Sequence, residues 1–391
     1  MPTVIDSLQA MAKKLLTAKI GTPSSVTTGR LKLETLESRE VPAVLVADPT
    51  NTVPFPIPQG PPIPPVSKWI AVTNGNEISV VDPSMGNGLV YGVSPFGIPS
   101  TGTVADFNGD GTPDLLAGAG PGGGPHIRLI NGAAFIPSAA IGVRPPENIF
   151  SFYAFDKGFT GGVSVAAADV NGDGTLDIIA GAGPGAGPHV KVFDGRTGTE
   201  LMSFYAFEKG FTGGVTVAGG DLDDDGRADV VVGAGPGAGP HVKVFNGRFG
   251  TDMFSFYAFD ADYRGGVSVA TADFDNSGKP DIVTGAGPGH SPMVRVYVGV
   301  ELDIETVDAN GNLFGKKTLV GLRKFADATI GDPSNRRGVT VVTRDVNADG
   351  RLDIVAATSN GSKTDLYAID SKDVLEGTIP AGKVVKVYPK S

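Results

Sequence analysis

A nine-residue pattern that occurs five times constrains the fold of this chain more than any other feature. The copies are DFNGDGTPD at Asp106, DVNGDGTLD at Asp169, DLDDDGRAD at Asp221, DFDNSGKPD at Asp273 and DVNADGRLD at Asp345. Each copy has oxygen-bearing side chains at positions 1, 3 and 5, a Gly at position 6 and an Asp at position 9. Calcium takes about 6–8 oxygen ligands, and the Gly permits a loop tight enough to point alternate side chains inward. The pattern therefore predicts calcium-binding loops.

The predicted calcium ligands are the side chains at positions 1, 3, 5 and 9 of every loop. They are Asp106, Asn108, Asp110, Asp114, Asp169, Asn171, Asp173, Asp177, Asp221, Asp223, Asp225, Asp229, Asp273, Asp275, Ser277, Asp281, Asp345, Asn347, Asp349 and Asp353. One such match alone is more often an ordinary solvated turn, but five full-length matches argue against that alternative. We predict about five Ca²⁺ ions, with a weaker fourth site because Ser277 replaces a carboxylate there.

The segments that flank the loops have the pattern of strands. GGVSVAAAD precedes the second loop and DIIAGAG follows it, and neither has a helical period. The second, third and fourth loops recur at one constant interval, and the intervals on either side of them are longer, which indicates insertions into a common repeat.

One repeat unit holds four short strands, which is typical of a β-propeller blade. In the second unit they are GGVSVAAAD, DIIAGAG, HVKVFDG and LMSFYAF. Small residues in the first strand and aromatics in the fourth fit a blade that widens from the centre of the ring to the rim.

We therefore predict an all-β fold, a β-propeller of six four-stranded blades, with calcium loops between strands one and two of five blades. One of the six blades, the first along the chain, has no such loop: KWIAVTNGNEISVVDPSMGNGLVYGVSPF supplies its strands two to four, and Val41 to Asp48 could supply its inner strand. Insertions lie around Ala133 to Glu147 and around Val300 to Leu319. Seven blades is the alternative if one insertion hides a further blade.

Composition narrows the function classes. The formal net charge is −10, and the loops carry 16 carboxylates at their ligand positions, so the acidity belongs to the loops. This charge argues against nucleic acid as a partner. The chain has no Cys, so calcium would have to serve as its cross-link outside the cell. Loops of this type suit extracellular calcium concentrations, and we predict a secreted or cell-surface protein.

The part of the chain before Ser67 has a different character. No run of apolar residues is long enough to span a membrane, which predicts no transmembrane segment. Residues 1–52 are interpreted as a targeting-like or disordered segment, residues 53–66 as a Pro-rich linker and residues 67–391 as the propeller. Within the first segment, LKLETLESREVPA resembles a short motif near the N-terminus of many predicted extracellular proteins of planctomycete bacteria.

From Val66 to the end of the chain, the repeated loops and strands resemble the FG-GAP repeat proteins. Their pattern is related to the N-terminal propeller of integrin α subunits and to bacterial adhesin-like propellers. The resemblance implies a calcium loop between strands one and two of a blade, with the ligand positions named above, and a propeller that serves as a ligand-binding platform. The chain departs from that family in reading GAGP where GAP is usual, and in Ser277.

Other repeated motifs suggest structure more than chemistry. GAGPGAGPH lies between strands two and three, and a phosphate-binding interpretation fails because no helix follows its glycines. His126, His189 and His241 occupy the same position in successive blades, and a structural role is favoured over ligand binding. The polar residues that stand out are nearly all repeated, whereas a catalytic constellation is ordinarily unique. We therefore predict that the protein is not an enzyme.

The strand order of a blade predicts one binding face. The loop between strands two and three and the crossover to the next blade emerge together, opposite the calcium loops. That face would present a ring of cationic and aromatic side chains: Lys157, Phe159, Lys209, Phe211, Tyr263 and Arg264. Such a ring suits multivalent contact. The alternative is that Phe159 and Phe211 pack between the blades.

Three functional hypotheses remain open from the sequence. The first is a calcium-dependent extracellular binding or adhesion module for protein or polysaccharide. The second is a purely structural module of a cell surface or secreted assembly, and the third is a secreted hydrolase or lyase on a propeller scaffold. A unique charged or aromatic cluster on one face would favour the first, and a deep central pocket with an acid and a base would favour the third.

Overall fold

The computed structural model describes residues 69–388, apart from 75, 83–88, 136–147, 308–312, 348, 361–362, 375–376, 378 and 380. The chain divides into two units, Met1–Ile57 and Pro58–Ser391, and the described residues all belong to the second unit. The predicted segment 1–52, the predicted linker 53–66 and the predicted strand from Val41 to Asp48 lie outside the described residues. Most of the predicted insertion from Ala133 to Glu147 lies outside them as well.

The described residues form six antiparallel sheets that follow one another along the chain. The first sheet consists of β1 (Ile70–Asn74), β2 (Glu77–Val81) and β3 (Leu89–Val93). The second consists of β4 (Ser100–Ala105), β5 (Asp114–Ala119), β6 (His126–Ile130) and β7 (Asn148–Tyr153), with a 3-10 helix at Gly132–Phe135. The third consists of β8 (Val163–Ala168), β9 (Asp177–Ala182), β10 (His189–Phe193) and β11 (Glu200–Tyr205).

The fourth sheet consists of β12 (Val215–Gly220), β13 (Asp229–Ala234), β14 (His241–Phe245) and β15 (Asp252–Tyr257). The fifth consists of β16 (Val267–Ala272), β17 (Asp281–Ala286), β18 (Met293–Val307) and β19 (Leu313–Thr329). The sixth consists of β20 (Val339–Arg344), β21 (Asp353–Asn360), β22 (Lys363–Ile369) and β23 (Val385–Tyr388), with a short helix at Ser371–Val374 and a 3-10 helix at Ala381–Lys383. The sheets are the blades of a six-bladed propeller, and the predicted all-β fold is confirmed.

Burial within a blade follows side-chain size, as the sequence predicts. In the third blade, every residue of β9, DIIAGA, is buried, whereas β11, ELMSFY, alternates between exposed and half-buried positions. The innermost strand β8, VSVAAA, carries only small side chains, because the strands crowd together near the centre of the ring.

Apolar clusters between neighbouring blades hold the ring together. Each cluster joins two consecutive blades, and the sixth joins the last blade to the first through contacts of Val355 and Leu366 with Ile70, Val72 and Val81. The first blade contributes only three strands within the described part of the chain, equivalent to strands two, three and four of the others. The predicted count of six blades is therefore correct and the seven-blade alternative is wrong.

The insertion from Val300 to Leu319 lengthens two strands of the fifth blade. It extends the β18–β19 hairpin, whose antiparallel register continues out to Val307 opposite Leu313. Near its base, Glu301 accepts a hydrogen bond from the ammonium of Lys279, a residue of the fourth predicted calcium loop, at 2.5 Å. The extended hairpin therefore leaves the ring on the side that carries these loops.

Arg344 bridges three blades near the centre of the ring. It ends β20, where the other blades have Ala105, Ala168, Gly220 and Ala272. Its guanidinium donates hydrogen bonds to the carbonyls of Trp69 at 3.2 Å and Val104 at 2.5 Å, and to the hydroxyl of Thr103 at 2.7 Å. Because Trp69 precedes β1 and Thr103 lies on β4, one side chain of the last blade fastens the first and second blades.

Candidate functional site

All five predicted calcium loops join strands one and two of their blades, and they share one side of the ring, called here the loop face. The backbone of the first four loops adopts a left-handed conformation twice. Position 6 is always Gly, with φ from +82° to +88°. Position 4 is Gly with φ +73° in the first two loops, and Asp224 and Asn276 adopt φ +61° in the next two. Asp and Asn tolerate this conformation better than other side chains, so the variation at position 4 follows backbone chemistry.

The first Asp of each loop organises the turn around its carboxylate. One of its oxygens accepts a hydrogen bond from the position 6 N–H in all five loops, at 2.8 Å for Asp106, Asp169 and Asp221, 2.9 Å for Asp273 and 3.0 Å for Asp345. In the second loop, its other oxygen accepts bonds from the N–H groups at positions 4 and 5, at 2.7 and 3.1 Å. The loop is thus curled around a carboxylate.

The Asp at position 9 is buried and ties the loop to the blade through backbone hydrogen bonds. All five are only 0–2% exposed: Asp114, Asp177, Asp229, Asp281 and Asp353. In the second loop, Asp177 accepts hydrogen bonds from the N–H groups of Val170 at 2.9 Å and Gly195 at 3.1 Å. Val170, at position 2, packs in the cluster between the third and fourth blades, so the loop is tied directly to a blade interface.

Burial raises the pKa of these position 9 carboxylates. Desolvation raises the pKa of Asp114 and Asp177 to about 6 and the pKa of Asp229 and Asp281 to about 7, and nearby loop carboxylates add to the effect. Hydrogen bonds from backbone N–H groups oppose it. A divalent cation beside such a carboxylate would favour the ionised form. The electrostatics of the loop therefore fit a bound cation.

Carboxylates converge most closely in the third and fourth loops. One oxygen from each of Asp221, Asp223 and Asp225 lies within 4.8 Å of the others, and the same holds for Asp273, Asp275 and Asp281. These donors are all hard oxygens, the ligand type that calcium and magnesium prefer. The donor set fits a hard divalent cation, and these residues would hold it.

The fourth and fifth loops differ from the rest at position 5. Ser277 accepts a hydrogen bond from the N–H of Lys279 at 3.3 Å, and its hydroxyl replaces a carboxylate. In the fifth loop, the carboxylate of Asp349 contacts the ammonium of Lys372 at 2.5 Å. A lysine therefore already supplies positive charge to that loop, and a cation would have to compete with it.

A further set of residues beside the loops was not predicted from the sequence. In the turn after strand three, an Asp or Asn stands at one fixed sequence distance from the first Asp of its loop: Asn131, Asp194, Asn246 and Asp370. Asn171 and Asn347, at position 3, donate hydrogen bonds to Asp194 at 3.4 Å and to Asp370 at 2.9 Å. The constant spacing is the signal that could have revealed these residues.

The opposite side of the ring, called here the crossover face, is formed as predicted. It carries the glycine-rich loops between strands two and three and the crossovers between blades. The N–H groups of Gly122, Gly185, Gly237 and Gly289 donate hydrogen bonds of 2.7–2.9 Å to the crossover carbonyls of Thr160, Thr212, Arg264 and Arg336. These bonds lock each loop to the crossover that leads into the next blade.

The six residues of the predicted ring lie on this face in two different states. Lys157, Lys209 and Arg264 are exposed. Phe159, Phe211 and Tyr263 are half-buried, and each makes an edge contact with an aromatic ring four residues earlier, at centroid distances of 6.5, 6.2 and 6.3 Å. The cations are therefore available to a ligand, whereas the aromatics pack between the blades.

The three repeated histidines are built into the same face. Their Nε2 atoms lie within hydrogen-bond distance of serine hydroxyls on strand four, at 2.9 Å for His126, 2.8 Å for His189 and 2.5 Å for His241. Each ring also lies against a tyrosine, Tyr153, Tyr205 or Tyr257, at 4.5–4.9 Å. The structural interpretation of these histidines therefore agrees with their contacts. The tyrosines, 42–54% exposed, add an aromatic ring that sequence reasoning missed.

Comparison with known proteins agrees with this architecture. Residues 106–180 match the FG-GAP-like repeat. Over 230 residues the chain is 27% identical to integrin alpha pat-2 of Caenorhabditis elegans, and the match covers 48% of this chain but only 17% of that protein. The resemblance to FG-GAP repeat proteins that the sequence indicates is thereby confirmed. In the part of the chain that the structure describes, no helix is long and apolar enough to cross a membrane.

Two solved structures match the chain at low similarity. The chain matches the structure of U3-55K with a TM-score of 0.39 at 13% identity, over 81% of this chain and 76% of that one. It matches the Bacillus licheniformis rhamnogalacturonan lyase PL11 with a TM-score of 0.34 at 13% identity, over 81% of this chain and 68% of that one. At these scores, neither structure says anything about the function of this chain.

Proposed function

We propose that this chain is an extracellular binding module, a propeller that calcium stabilises from the loop face and that captures a ligand on the crossover face. The observation that carries the proposal is the five-fold repetition of one carboxylate-organised loop on one side of the ring. The proposal assigns one Ca²⁺ to each loop, about five in all, held by the side chains at positions 1, 3, 5 and 9.

Calcium would act through the blade interfaces. The residue at position 2 of every loop contributes to a cluster between two blades: Phe107, Val170, Leu222, Phe274 and Val346. Its N–H also bonds the position 9 carboxylate in each case, at 2.8–3.0 Å. A cation that fixes the loop carboxylates would therefore fix the packing between blades, which is the role that disulfides serve in other exported proteins.

The crossover face is the side that we propose for the ligand. It offers the exposed cations Lys157, Lys209 and Arg264 on three successive crossovers, and several weak contacts of this kind combine into strong binding. We propose a protein partner first, since the related integrin alpha pat-2 is named as an integrin subunit, with a polysaccharide as the second candidate. The residues that stand out repeat from blade to blade, and we propose binding without catalysis.

Calcium titration tests the first half of the proposal. Isothermal titration should give about five sites, and the Asp173→Ala variant should lose one of them, whereas Ser277→Ala should change little. Asp173 is a charged group in a loop with three carboxylates at its ligand positions, while Ser277 is neutral. A protein that binds no calcium at millimolar concentration would refute the stabilising role.

A ligand screen tests the second half. The protein, saturated with calcium, is presented to arrays of matrix proteins and glycans, and captured ligands are retested with a triple variant in which Lys157, Lys209 and Arg264 are replaced by Ala. Loss of capture with an unchanged melting midpoint supports the crossover face. Retained capture would move the binding site elsewhere, and capture of nothing would favour a purely structural module.

A further inference from the structure

The crossover into the sixth blade departs from the three crossovers before it. The four align on a glycine with positive φ, Gly162, Gly214, Gly266 and Gly338, at +77° to +87°. The backbone bond to the preceding glycine-rich loop is also kept, since the N–H of Gly289 donates to the carbonyl of Arg336 at 2.8 Å. The side chains, in contrast, change from YAFDKGFTGG to ATIGDPSNRRG. The backbone contact of this crossover is therefore the same as in the others, but its side chains are chemically different.

In three crossovers a pair of aromatic rings fills the space between the blades. The pairs are Phe155 with Phe159, Phe207 with Phe211, and Phe259 with Tyr263. The equivalent positions in the crossover to the sixth blade are Gly331 and Asn335. Without two rings at this place, a cavity of about 560 Å³ opens between the crossover and strands β21 and β22. This volume lies in the usual range of small-molecule pockets, roughly 300–1,000 Å³.

The sixth blade also changes the residues that face this space. Where the third and fourth blades have His189 and His241 at the start of strand three, the sixth blade has Asp365, and Tyr367 replaces a lysine two residues later. A Cβ atom on Gly331 would lie 2.6 Å from the hydroxyl of Tyr367. Gly331 therefore leaves the tyrosine room to line the cavity.

The residues that line the cavity include groups of both charges. Among them are two guanidinium groups, two carboxylates, an amide and a phenol: Arg336, Arg337, Asp332, Asp365, Asn335 and Tyr367. Asp365 is 6% exposed, and its carboxylate contacts the ammonium of Lys386 at 2.9 Å. The amide of Asn335 donates hydrogen bonds to the hydroxyl of Thr358 and the carbonyl of Ser359, both at 3.0 Å, which hold it in place.

We propose that this cavity, called here the blade-six pocket, binds an acidic sugar, a saccharide that carries a uronic acid. Guanidinium groups recognise carboxylates through paired hydrogen bonds. The carboxylate of Asp332 and the hydroxyl of Tyr367 suit a ligand that donates as well as accepts, and sugar hydroxyl groups do both. A phosphate group donates few hydrogen bonds, so it fits this lining less well than a sugar with both a carboxylate and hydroxyl groups. The pocket is separate from the ring of Lys157, Lys209 and Arg264.

A direct binding measurement tests the pocket. The full chain in millimolar calcium is titrated with trigalacturonic acid, with its methyl ester and with a triglutamate peptide, and binding is followed by calorimetry. We expect saturable binding of the acid and at least tenfold weaker binding of the ester, because the ester has no charged carboxylate. Equal binding of ester and acid, or no binding of the acid, overturns the proposal. Tighter binding of the peptide also overturns it, in favour of an acidic protein segment.

Two variants and one matched control locate the binding. Arg336→Thr introduces the residue that stands at Thr160 and Thr212, and Asn335→Phe restores the aromatic of the other crossovers. The control is Arg248→Thr, because Arg248 is an exposed arginine in the turn after β14, on the loop face, and belongs neither to the pocket nor to the ring of Lys157, Lys209 and Arg264.

We expect each of the two pocket variants to weaken trigalacturonate binding at least tenfold with an unchanged melting midpoint, and Arg248→Thr to leave the affinity within about twofold. If the control variant bound trigalacturonate as weakly as Arg336→Thr, binding would reflect general attraction to surface cations, and the pocket proposal would be overturned. If Asn335→Phe alone lowers the melting midpoint, Arg336→Thr decides the matter. Failure of these experiments with calcium-dependent melting intact removes the pocket and leaves the proposed function standing.

Discussion

On the loop face, all five loops keep the same hydrogen bond between the position 1 carboxylate and the position 6 N–H. On the crossover face, three crossovers keep an aromatic pair and the crossover to the sixth blade replaces it with Gly331 and Asn335. The two faces come from the same repeat. The loop face is uniform because each loop meets the same backbone demands, whereas the crossover face can vary side chains over an unchanged backbone.

Removal of calcium should produce the largest difference between the faces. Each proposed site would contribute about 1.4 kcal/mol at a tenfold excess of calcium over its Kd. Five such sites would lower the melting midpoint by about 10 °C or more when a chelator is added. Differential scanning calorimetry with chelator and then with millimolar calcium measures this. An unchanged midpoint would show that the loops are solvated turns.

The second prediction compares the buried position 9 Asp of a loop with an exposed calcium ligand of the same loop. Asp177→Ala should lower the free energy of unfolding by about 3–5 kcal/mol even with chelator present, because it leaves buried N–H groups without an acceptor. Asp173→Ala, at an exposed position of the same loop, should cost less than about 0.5 kcal/mol in chelator and more in calcium. Urea denaturation under both conditions gives the four values. Equal costs in chelator would contradict the assigned roles.

On the crossover face, the third prediction concerns packing. Phe211→Ala should lower the free energy of unfolding by about 1–2 kcal/mol, because it removes a half-buried ring that contacts Phe207 at 6.2 Å. The same cost is expected with chelator and with calcium. Lys209→Ala, two residues earlier and exposed, is the matched control and should cost almost nothing. A calcium-dependent cost for Phe211→Ala would mean that the two faces are coupled through the blade.

The smallest expected effect is a pH dependence on the crossover face. Burial lowers the pKa of His189 and His241 below the ordinary value of 6.5, so the folded state favours the neutral ring. Their contribution is therefore fully present above about pH 6.5 and is lost as the pH falls toward the folded pKa. In saturating calcium, the unfolding free energy of the His189→Gln variant should fall less between about pH 7.5 and 5.5 than that of the unchanged protein. Identical slopes would assign the acid sensitivity to other groups.

Features that repeat along the chain could be predicted from the sequence. Six blades were predicted from the constant interval between loops and from the alternation of small and aromatic strands. The strands that flank each loop were also predicted correctly. The structural role of the histidines followed from the same repetition. The position 9 Asp, predicted as a ligand, is also a buried acceptor for backbone N–H groups, and sequence spacing alone does not reveal burial.

Features without a repeat were harder to predict. Arg344 contacts Trp69 and Thr103, which lie 275 and 241 positions away in the chain, and no local pattern announces such contacts. The blade-six pocket arises from what one crossover lacks, namely the aromatic pair of its counterparts. An alignment of the four crossovers contains this signal, but its meaning depends on knowing that the rings fill the space between blades.

The bridge made by Arg344 has a consequence for how the chain is made. The first blade has an apolar surface, with Ile70 and Val72, that packs against the last blade. During synthesis this surface is not covered by the last blade, and the carbonyl of Trp69 cannot bond Arg344, until the chain has grown by 275 more residues. A partly synthesised chain is therefore an open row of blades with two sticky ends, at risk of joining a second chain end to end. Arg344 belongs to the sixth blade, so the row of blades closes into a ring, and its two ends are protected from such joining, only when that blade has been made.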